Sequence, residues 1–309
     1  MTEFLVLLNQ VLVLFILMGL GYFLAKKEYL SRDTATHLTF LLCYVITPCI
    51  VFHSFQTKYE PERLHNLLVM FFISVLMYLG TIILGHLIFN SHFVSESFKR
   101  SVLRFSVVYG NCGFMGFPLL YTLLGADGVF YGSAYNGVFA LFVWTHGIVL
   151  YTNRFYFPSL VKAMLNPNIF AIALGMGFFA FSLSLPAPVA MSVKFLADLN
   201  TGLSMIVVGV LITSLPLNTI INDPQVWIGV LLKNIIFPVI IILIAVNAGI
   251  SGNLLMTTVI MAACPTASMA VMLAALMGRD TVFPSKIMIL STILSLLTVP
   301  AVIIFARSL

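Results

Sequence analysis

The chain from Tyr109 to Gly125 reads YGNCGFMGFPLLYTLLG, a long apolar run that is interrupted in its middle. The interruption consists of one polar residue and three residues that disfavour a continuous helix, namely Asn111, Gly113, Gly116 and Pro118. Unpaired backbone groups are costly in hydrocarbon, so an interrupted segment is tolerated inside a membrane only where protein or a water-filled cavity covers it. If the run spans a membrane, its interruption therefore marks a functional site.

A second apolar run, from Met261 to Asp280, reads MAACPTASMAVMLAALMGRD and carries Pro265 near its start. The two runs end alike, since the chain reads GADGVF from Gly125 and GRDTVF from Gly278. These two starting points set an offset of 153 residues, close to half the chain. A weak internal repeat of this kind is typical of transporters whose two halves meet at a central site built from broken helices.

Composition places the protein in a membrane. Hydrophobic residues make up 61% of the chain and charged residues 8%, whereas roughly a quarter of the residues of a soluble domain are charged. Segments of about 20 apolar residues predict ten transmembrane helices. Their ranges are 4–25, 34–55, 65–89, 98–124, 129–151, 167–185, 189–213, 226–248, 253–277 and 283–306. We therefore predict an all-α membrane protein of two five-helix repeats, residues 1–151 and 167–309, joined by a connecting loop at 152–166.

The distribution of basic residues predicts the topology. Counted in alternate loops, ten Lys and Arg residues fall on one side and four on the other, which places the richer side, including loop 152–166, in the cytoplasm. Both termini then lie on the outer side of the cell (inner) membrane. Because each half has an odd number of spans, the two halves are inverted relative to each other. The net charge of +5 reflects this topology rather than a nucleic-acid partner. Lys26 and Lys27 follow the first span, so we expect a retained helix instead of a signal peptide.

The two interruptions predict an anion site. We expect helix four to halt between Asn111 and Gly116 and to resume near Pro118. Helix nine should halt near Cys264 and resume at Pro265. Each restart exposes a helix N-terminus near the membrane midplane, where about half a positive charge and free N–H donors suit a carboxylate. The alternative is that both prolines only kink packed helices.

Polar side chains complete the predicted site. Asn111, Thr266 and Ser268 offer donors and acceptors beside the helix ends. Asn136, in the following helix, either lines the pathway or is satisfied against a neighbouring helix. Lys233, in WIGVLLKNIIFPVI, lies within the predicted eighth span, about 10 Å from its cytoplasmic end. It either reaches the cytoplasmic interface by snorkelling or supplies a fixed positive charge for the carbonyl end of a broken helix or for an anionic substrate.

Other chemistry is not indicated by the sequence. The four cysteines lie inside predicted spans without paired metal-ligand spacing, so we expect free thiols, no disulfide, no metal site and no cofactor. The chain has no HExxH motif, no pair of mid-membrane aspartates and no serine with a base partner, so a membrane enzyme with catalytic residues is not expected.

Four motifs carry a family resemblance, namely NCGFMGFPLL, ACPTASMAVMLA, LNPNIFAIALG and STILSLLTVPA. In these residues and their order the chain resembles the auxin efflux carrier family, in its short prokaryotic branch, which includes proteins described as malate and malonate permeases. The resemblance covers essentially the whole chain. It implies an inverted five-plus-five fold related to bile-acid and sodium/proton transporters, with broken helices four and nine crossing at the substrate site. It also implies an elevator-type movement of a transport domain against a scaffold, and a homodimer formed through the scaffold.

The resemblance further implies roles for single residues. The family's crossover asparagine and proline in helix four fall on Asn111 and Pro118, and its crossover proline in helix nine falls on Pro265. The plant members have a long cytoplasmic loop that this chain lacks, and a glutamine where this chain has Thr266. These departures speak against an indole acid and for a small dicarboxylate.

The resulting prediction is a secondary active or facilitative transporter of a small organic anion across the cell membrane by elevator-type alternating access. The anion is a carboxylate such as malate, malonate or an auxin-like acid, and a coupling proton or sodium ion is left open. The other partners are the lipid bilayer and a second copy of the chain. Two alternatives share the composition: a membrane ligand sensor on a transporter fold, and a cation-coupled antiporter, against which the lack of a central aspartate weighs.

Overall fold

The structure, a computed structural model, describes residues 2–152, 154, 165–213, 215 and 217–309. Within these ranges it is helical except for turns, short connections and one isolated antiparallel bridge, between Gly110 and Thr266. The α-helices are α1 Thr2–Lys26, α2 Arg32–Leu41, α3 Thr47–Ser54, α4 Pro61–Ile88, α5 Ser97–Val108, α6 Phe117–Phe142, α7 Ile148–Thr152, α8 Pro167–Ala180, α9 Ala187–Ile212, α10 Leu217–Ile221, α11 Pro224–Leu231, α12 Phe237–Asn247, α13 Gly252–Ala263, α14 Met269–Leu276 and α15 Val282–Arg307. Four π-helices join some of them, at Leu42–Ile46, Cys112–Gly116, Val143–Gly147 and Leu232–Ile236. The predicted connecting loop at 152–166 lies for the most part outside the described residues.

Six of the described helical segments are, by length and composition, able to cross a membrane. They run over Asp33–Ser54, Pro61–Ile88, Cys112–Thr152, Ala187–Ile212, Pro224–Asn247 and Val282–Arg307. Three shorter apolar helices accompany them, Leu12–Lys26, Pro167–Ala180 and Gly252–Ala263. The chain is therefore an all-helical protein with several membrane spans, as its composition predicts. The ten-span, inverted-repeat arrangement goes beyond this count and stays a prediction.

Gly125 divides the longest of these segments, Cys112–Thr152, into two helices. Its backbone (φ 64°, ψ −150°) lies in a region that glycine adopts without strain and other residues do not. Two residues later, Asp127 accepts a hydrogen bond of 2.9 Å from Arg63, which also pairs with Glu60. The turn falls where the sequence predicts the fourth span to end.

Three of the four π-helices share a sequence feature that explains them. Each is followed, at the second residue, by a proline, namely Pro48, Pro118 or Pro238. A proline within a helix donates no N–H, and its ring clashes with the carbonyl four residues earlier. That carbonyl lies inside the preceding π-helix in all three cases. The widened turn accommodates the displaced carbonyl, so the helix continues through its proline.

The described chain forms two compact units, of which the first comprises Met1–Phe72, Gly113–Ala140 and Met164–Thr213. Within this unit α1 packs on α9, and α3 packs on both α8 and α9. Glycines allow the close approach of α1 and α9. A side chain added at Gly21 would collide with the backbone of Ile206, and one added at Gly209 would collide with the backbone of Met18.

A buried hydrogen bond in the first unit joins two residues that are 153 positions apart. Thr47 donates through Oγ1 to Asn200 Oδ1 at 3.3 Å. This separation equals the offset of the sequence repeat. Residues at equivalent positions of two copies lie close together only near the axis that relates the copies. The contact fits a two-fold relation between the repeats, which stays a prediction.

The second unit comprises Ile73–Cys112, Leu141–Ala163 and Ser214–Leu309. Within it α15 packs against α5, α11, α13 and α14. The ends of α5 and α13, where the sequence predicts interruptions, both belong to this unit, as does the isolated bridge. The second unit alone therefore contains the meeting point of the two interrupted helices.

Candidate functional site

The candidate site is the place in the second unit where the two interrupted helices meet. Helix α5 ends at Val108, and the next residue, Tyr109, is extended (φ −98°, ψ 108°). Helix α13 ends at Ala263, and Cys264 is likewise extended (φ −56°, ψ 136°). Both apolar runs that the sequence marks as broken therefore leave the helical conformation. We call the two non-helical segments together the crossing.

The two segments of the crossing pair with each other as a minimal antiparallel sheet. The N–H of Asn111 donates to the carbonyl of Pro265 (2.7 Å), and the N–H of Ala267 donates to the carbonyl of Tyr109 (2.9 Å). Backbone groups released by the two interruptions thus satisfy one another, as burial inside a membrane protein requires. Pro265 contributes only its carbonyl, so its missing N–H does not weaken the pair.

The interruptions differ in extent from the sequence prediction. The first ends earlier, because the chain resumes at Cys112 as a π-helix that runs to Gly116 and the widened turn accommodates Pro118. The second ends later, because the chain stays non-helical after Pro265 and α14 begins at Met269. The predicted restarts near Pro118 and at Pro265 are therefore wrong by a few residues, and Pro265 belongs to the pairing segment.

The pairing uses donors that the sequence predicts to be open to an anion. The N–H groups of Asn111 and Ala267 have carbonyl partners. Both donors of Thr266 also have partners, since its N–H donates to Ser291 Oγ (2.9 Å) and its hydroxyl donates to the Ser106 carbonyl (3.1 Å). Thr266 thus holds the crossing together, and a role in ligand binding would require these bonds to break.

A buried relay of side chains continues from Thr266. The Ser291 hydroxyl, which accepts from the Thr266 N–H, donates to Asn234 Oδ1 at 2.6 Å. Asn234 Nδ2 donates in turn to the Ser291 carbonyl at 2.8 Å. Both residues are at most 1% exposed, so water cannot replace these bonds. The sequence prediction missed Asn234, although a lone amide in an apolar segment just before a proline is a usable signal.

Lys233 lies against both segments of the crossing. It is 3% exposed and precedes Asn234 in the π-helix Leu232–Ile236. Its Nζ lies 3.5 Å from the carbonyl oxygen of Ala262, in the last turn of α13. A Cβ added at Gly110 would come within 3.0 Å of the same Nζ. The ammonium therefore points into the protein. This contradicts the interpretation that Lys233 reaches the cytoplasmic interface by snorkelling, and it agrees with a fixed charge at the carbonyl end of a broken helix.

No carboxylate pairs with this ammonium within the described ranges. The ion pairs found there involve Arg63, Lys99, Lys194 and Lys286. The neighbouring Cys264 thiol donates to the Ile260 carbonyl at 3.3 Å, so it is protonated and is not a counter-ion. A buried ammonium without a charged partner is energetically costly, and ionisable groups within membrane segments are functional by default. Lys233 is therefore the strongest candidate for a ligand-binding residue at the crossing, a role that stays a prediction.

The side chain of Tyr109 anchors the first interruption. Its hydroxyl donates to the Phe142 carbonyl (2.9 Å) and lies 2.9 Å from Nδ1 of His146. The ring of His86 lies beside that of His146, with 5.4 Å between the centroids. The sequence gives no local sign of this anchor, because it joins residues more than 30 positions apart.

The structure brings only some of the predicted site residues together. Asn111, Cys264, Pro265 and Thr266 lie in the crossing, and Lys233 lies beside it. Ser268 is half-buried at the start of α14, and its hydroxyl makes no capping hydrogen bond. Four further residues belong to the first unit, namely Gly113, Gly116, Pro118 and Asn136. For those four, a role in ligand binding stays a prediction.

Comparison with protein families adds an independent finding. The model of the family described as "Membrane transport protein" matches residues 6–156 and again residues 151–303. Together the two matches cover nearly the whole chain, and each spans about one of the two predicted repeats. A comparison with curated proteins gives no match.

Proposed function

The chain belongs to the membrane transport protein family, that of the auxin efflux carriers, and from this premise we propose that it carries a small organic anion across the cell membrane. Transport across a membrane follows from family membership itself, since this is a family of membrane transporters and not of enzymes. The nature of the cargo and the way it moves are the proposal.

One observation carries the choice of an anion, namely the buried Lys233 ammonium beside the crossing. A charge in a membrane segment is stabilised by an opposite charge, and the described residues supply no carboxylate for it. A carboxylate of the cargo would provide that partner through a charge-assisted hydrogen bond. The Asn111 side chain, one residue beyond Gly110, is the second group that we assign to the same carboxylate.

We further propose alternating access of the elevator type. The second unit contains both segments of the crossing and Lys233 in one compact body, so it is suited to carry a bound carboxylate as a unit. In this proposal a homodimer, formed outside that unit, holds the protein in the bilayer during the movement. Whether a proton or a sodium ion moves with the cargo is part of what the experiment below measures.

The experiment is uptake and counterflow of labelled mono- and dicarboxylates, malate and malonate among them, in proteoliposomes. Each acid is tested with and without imposed proton and sodium gradients. We expect saturable flux of at least one acid, and counterflow that persists without any gradient. Absence of flux for every acid would overturn the proposal.

The Asn111→Ala variant links this flux to the crossing. It removes the side-chain amide but keeps the backbone N–H that pairs with Pro265, so we expect a folded protein that has lost transport. Asn247→Ala is the matched control, since the exposed Asn247 amide only bonds to the Leu243 carbonyl within its own helix. Wild-type flux in the Asn111 variant would remove the crossing from the transport pathway.

The same experiment separates the two alternatives. A membrane ligand sensor would bind an acid without net flux or counterflow. A cation-coupled antiporter would show flux only when a proton or sodium gradient is imposed, and it would move the cation without any acid. The unpaired Lys233 ammonium speaks against the antiporter, because a cation would be repelled from a site that already holds a buried positive charge.

A further inference from the structure

We infer that the ligand of the crossing carries one net negative charge, and that Lys233 is its fixed counter-charge. The inference rests on the proposed function, because it takes the crossing as the binding site of the transported anion. It adds the charge class of the cargo. A monocarboxylate fits this class, and so does a dicarboxylate with one of its two carboxyl groups protonated.

The crossing itself holds a positive charge. The ammonium of Lys233 contributes one positive charge, and its hydrogen-bond acceptor is the Ala262 carbonyl at 3.5 Å. That carbonyl belongs to the C-terminal end of α13, where a helix carries roughly half a negative charge. The Cys264 thiol is neutral, since it donates to a carbonyl. The C-termini of α5 and α13 at the crossing are each followed by a helix N-terminus of opposite partial charge, so the crossing holds about one net positive charge, that of Lys233.

Other positive charges of the second unit are paired with carboxylates or lie away from the crossing. Lys286 pairs with Asp223 at 3.8 Å, and Lys99 pairs with Glu96 at 2.9 Å, so these pairs add no net charge. Arg104 donates through Nε to the Phe89 carbonyl and lies more than one helical turn before the crossing along α5. Lys233 is thus the cation that the described contacts place against the crossing.

Ligands of different charge should differ in their affinity for the crossing. A monoanion converts an isolated buried ammonium into a charge pair, which relieves the cost of burying either charge alone. A dianion brings a second negative charge that no described cation of the crossing meets, and burial of an unpaired carboxylate is strongly unfavourable. A neutral ligand of the same shape leaves the ammonium without a charged partner. The expected order of affinity is therefore monoanion, then dianion or neutral ligand.

The test uses three probes that share one shape and differ in charge. Malonate at neutral pH is the dianion, its monoamide is the monoanion, and its diamide is neutral. Their affinities for the purified full chain are measured by titration calorimetry. We expect the monoamide to bind most tightly, by about ten- to a hundredfold, the range that hydrogen bonds to charged groups span.

Variants then assign this preference to one side chain. Lys233→Met should lose the advantage of the monoamide over the diamide, while Lys233→Arg, which keeps the charge, should retain part of it. Lys286→Met is the matched control, because it removes one positive charge of the same unit outside the crossing. We expect the control to bind all three probes as the wild type does.

Two outcomes would overturn the inference. These are tightest binding of malonate as the dianion and an unchanged preference in Lys233→Met. In each of these cases flux in the liposome experiment would leave the proposed function intact. If no acid is transported at all, the proposed function fails independently of the order of affinities.

Discussion

The two interruptions pair through the same kind of backbone hydrogen bond, but different groups surround them. Around Thr266 each donor has a neutral acceptor, namely Ser291 Oγ for the N–H and the Ser106 carbonyl for the hydroxyl. Gly110, on the opposite segment, has no side chain, and its neighbour is the ammonium of Lys233. The donors of Thr266 are held by neutral groups of the protein, whereas the ammonium beside Gly110, which also lies against the end of α13, has no carboxylate partner among the described residues.

This difference separates stability from binding at consecutive positions. Lys233 and Asn234 follow one another in the same π-helix. Asn234 belongs to the relay that holds Thr266, while Lys233 faces Gly110 and the end of α13. A substitution at position 234 should therefore lower the stability of the fold, whereas one at position 233 should lower the affinity for the ligand.

The largest effect is expected for Lys233→Met. Loss of a charge-assisted contact should reduce the affinity for the transported anion about ten- to a hundredfold. The melting temperature in detergent should stay the same or rise, because replacing a buried charge that lacks a partner is often neutral or stabilising. Binding is followed by calorimetry and unfolding by intrinsic fluorescence. A lower melting temperature with unchanged binding would make Lys233 a structural residue and erase the contrast with Asn234.

Asn234→Leu should produce the opposite pattern. The substitution keeps the branching of the side chain but leaves the buried Ser291 hydroxyl and carbonyl without their amide partner, which costs about 1–3 kcal/mol of stability. The free energy of unfolding is measured with denaturant in detergent. Asn247→Leu is the control, since its amide is exposed, and it should be close to neutral. Equal stability of the two variants would show that the relay does not hold the second interruption.

Gly110→Ala tests the space between the two segments of the crossing. The added Cβ would lie 3.0 Å from Lys233 Nζ and 3.2 Å from the Cys264 carbonyl oxygen, so the ammonium has to shift. We expect the binding free energy of the anion to weaken by about 1 kcal/mol, which lowers the affinity roughly fivefold. Gly80→Ala in α4 is the matched control, because Gly80 belongs to the same unit and an added Cβ there meets nothing within 4 Å. An equal loss in both variants would show that the effect does not come from the space beside Lys233.

Tyr109→Phe should have the smallest effect. It removes the hydroxyl that donates to the Phe142 carbonyl and contacts His146, but it leaves the backbone carbonyl that pairs with Ala267. The expected loss of stability is about 0.5 kcal/mol, the low end for one hydrogen bond. Transport should be nearly unchanged. A complete loss of transport with normal unfolding would show that the Tyr109 and His146 side chains take part in the cycle.

Local features of the fold could be predicted from the sequence. The interruptions followed from polar residues, glycines and prolines within apolar runs, which is a property of each segment alone. Their ends were misplaced, because the effect of Pro118 depends on whether the preceding turn can widen, and because Pro265 is held by a partner from another segment. The all-helical membrane class followed from composition.

The site was predictable only in part, for a physical reason. The sequence gives the depth of Lys233 along its helix but not the direction of its side chain, which its contacts with Ala262 and Gly110 determine. Asn234 was missed because its partner Ser291 is 57 positions away. Sequence patterns report which residues are unusual in lipid, whereas the partner of each is set by tertiary packing.

The bridge between Gly110 and Thr266 has a consequence for how such a protein can evolve. Its hydrogen bonds join main-chain atoms, and almost every residue type supplies these. Position 111 must provide an N–H and position 265 a carbonyl, but neither bond specifies a side chain. Mutation can therefore exchange side chains of the crossing one at a time while the backbone pairing of the two segments persists. If the crossing binds the cargo as proposed, single substitutions can change cargo specificity within an unchanged architecture.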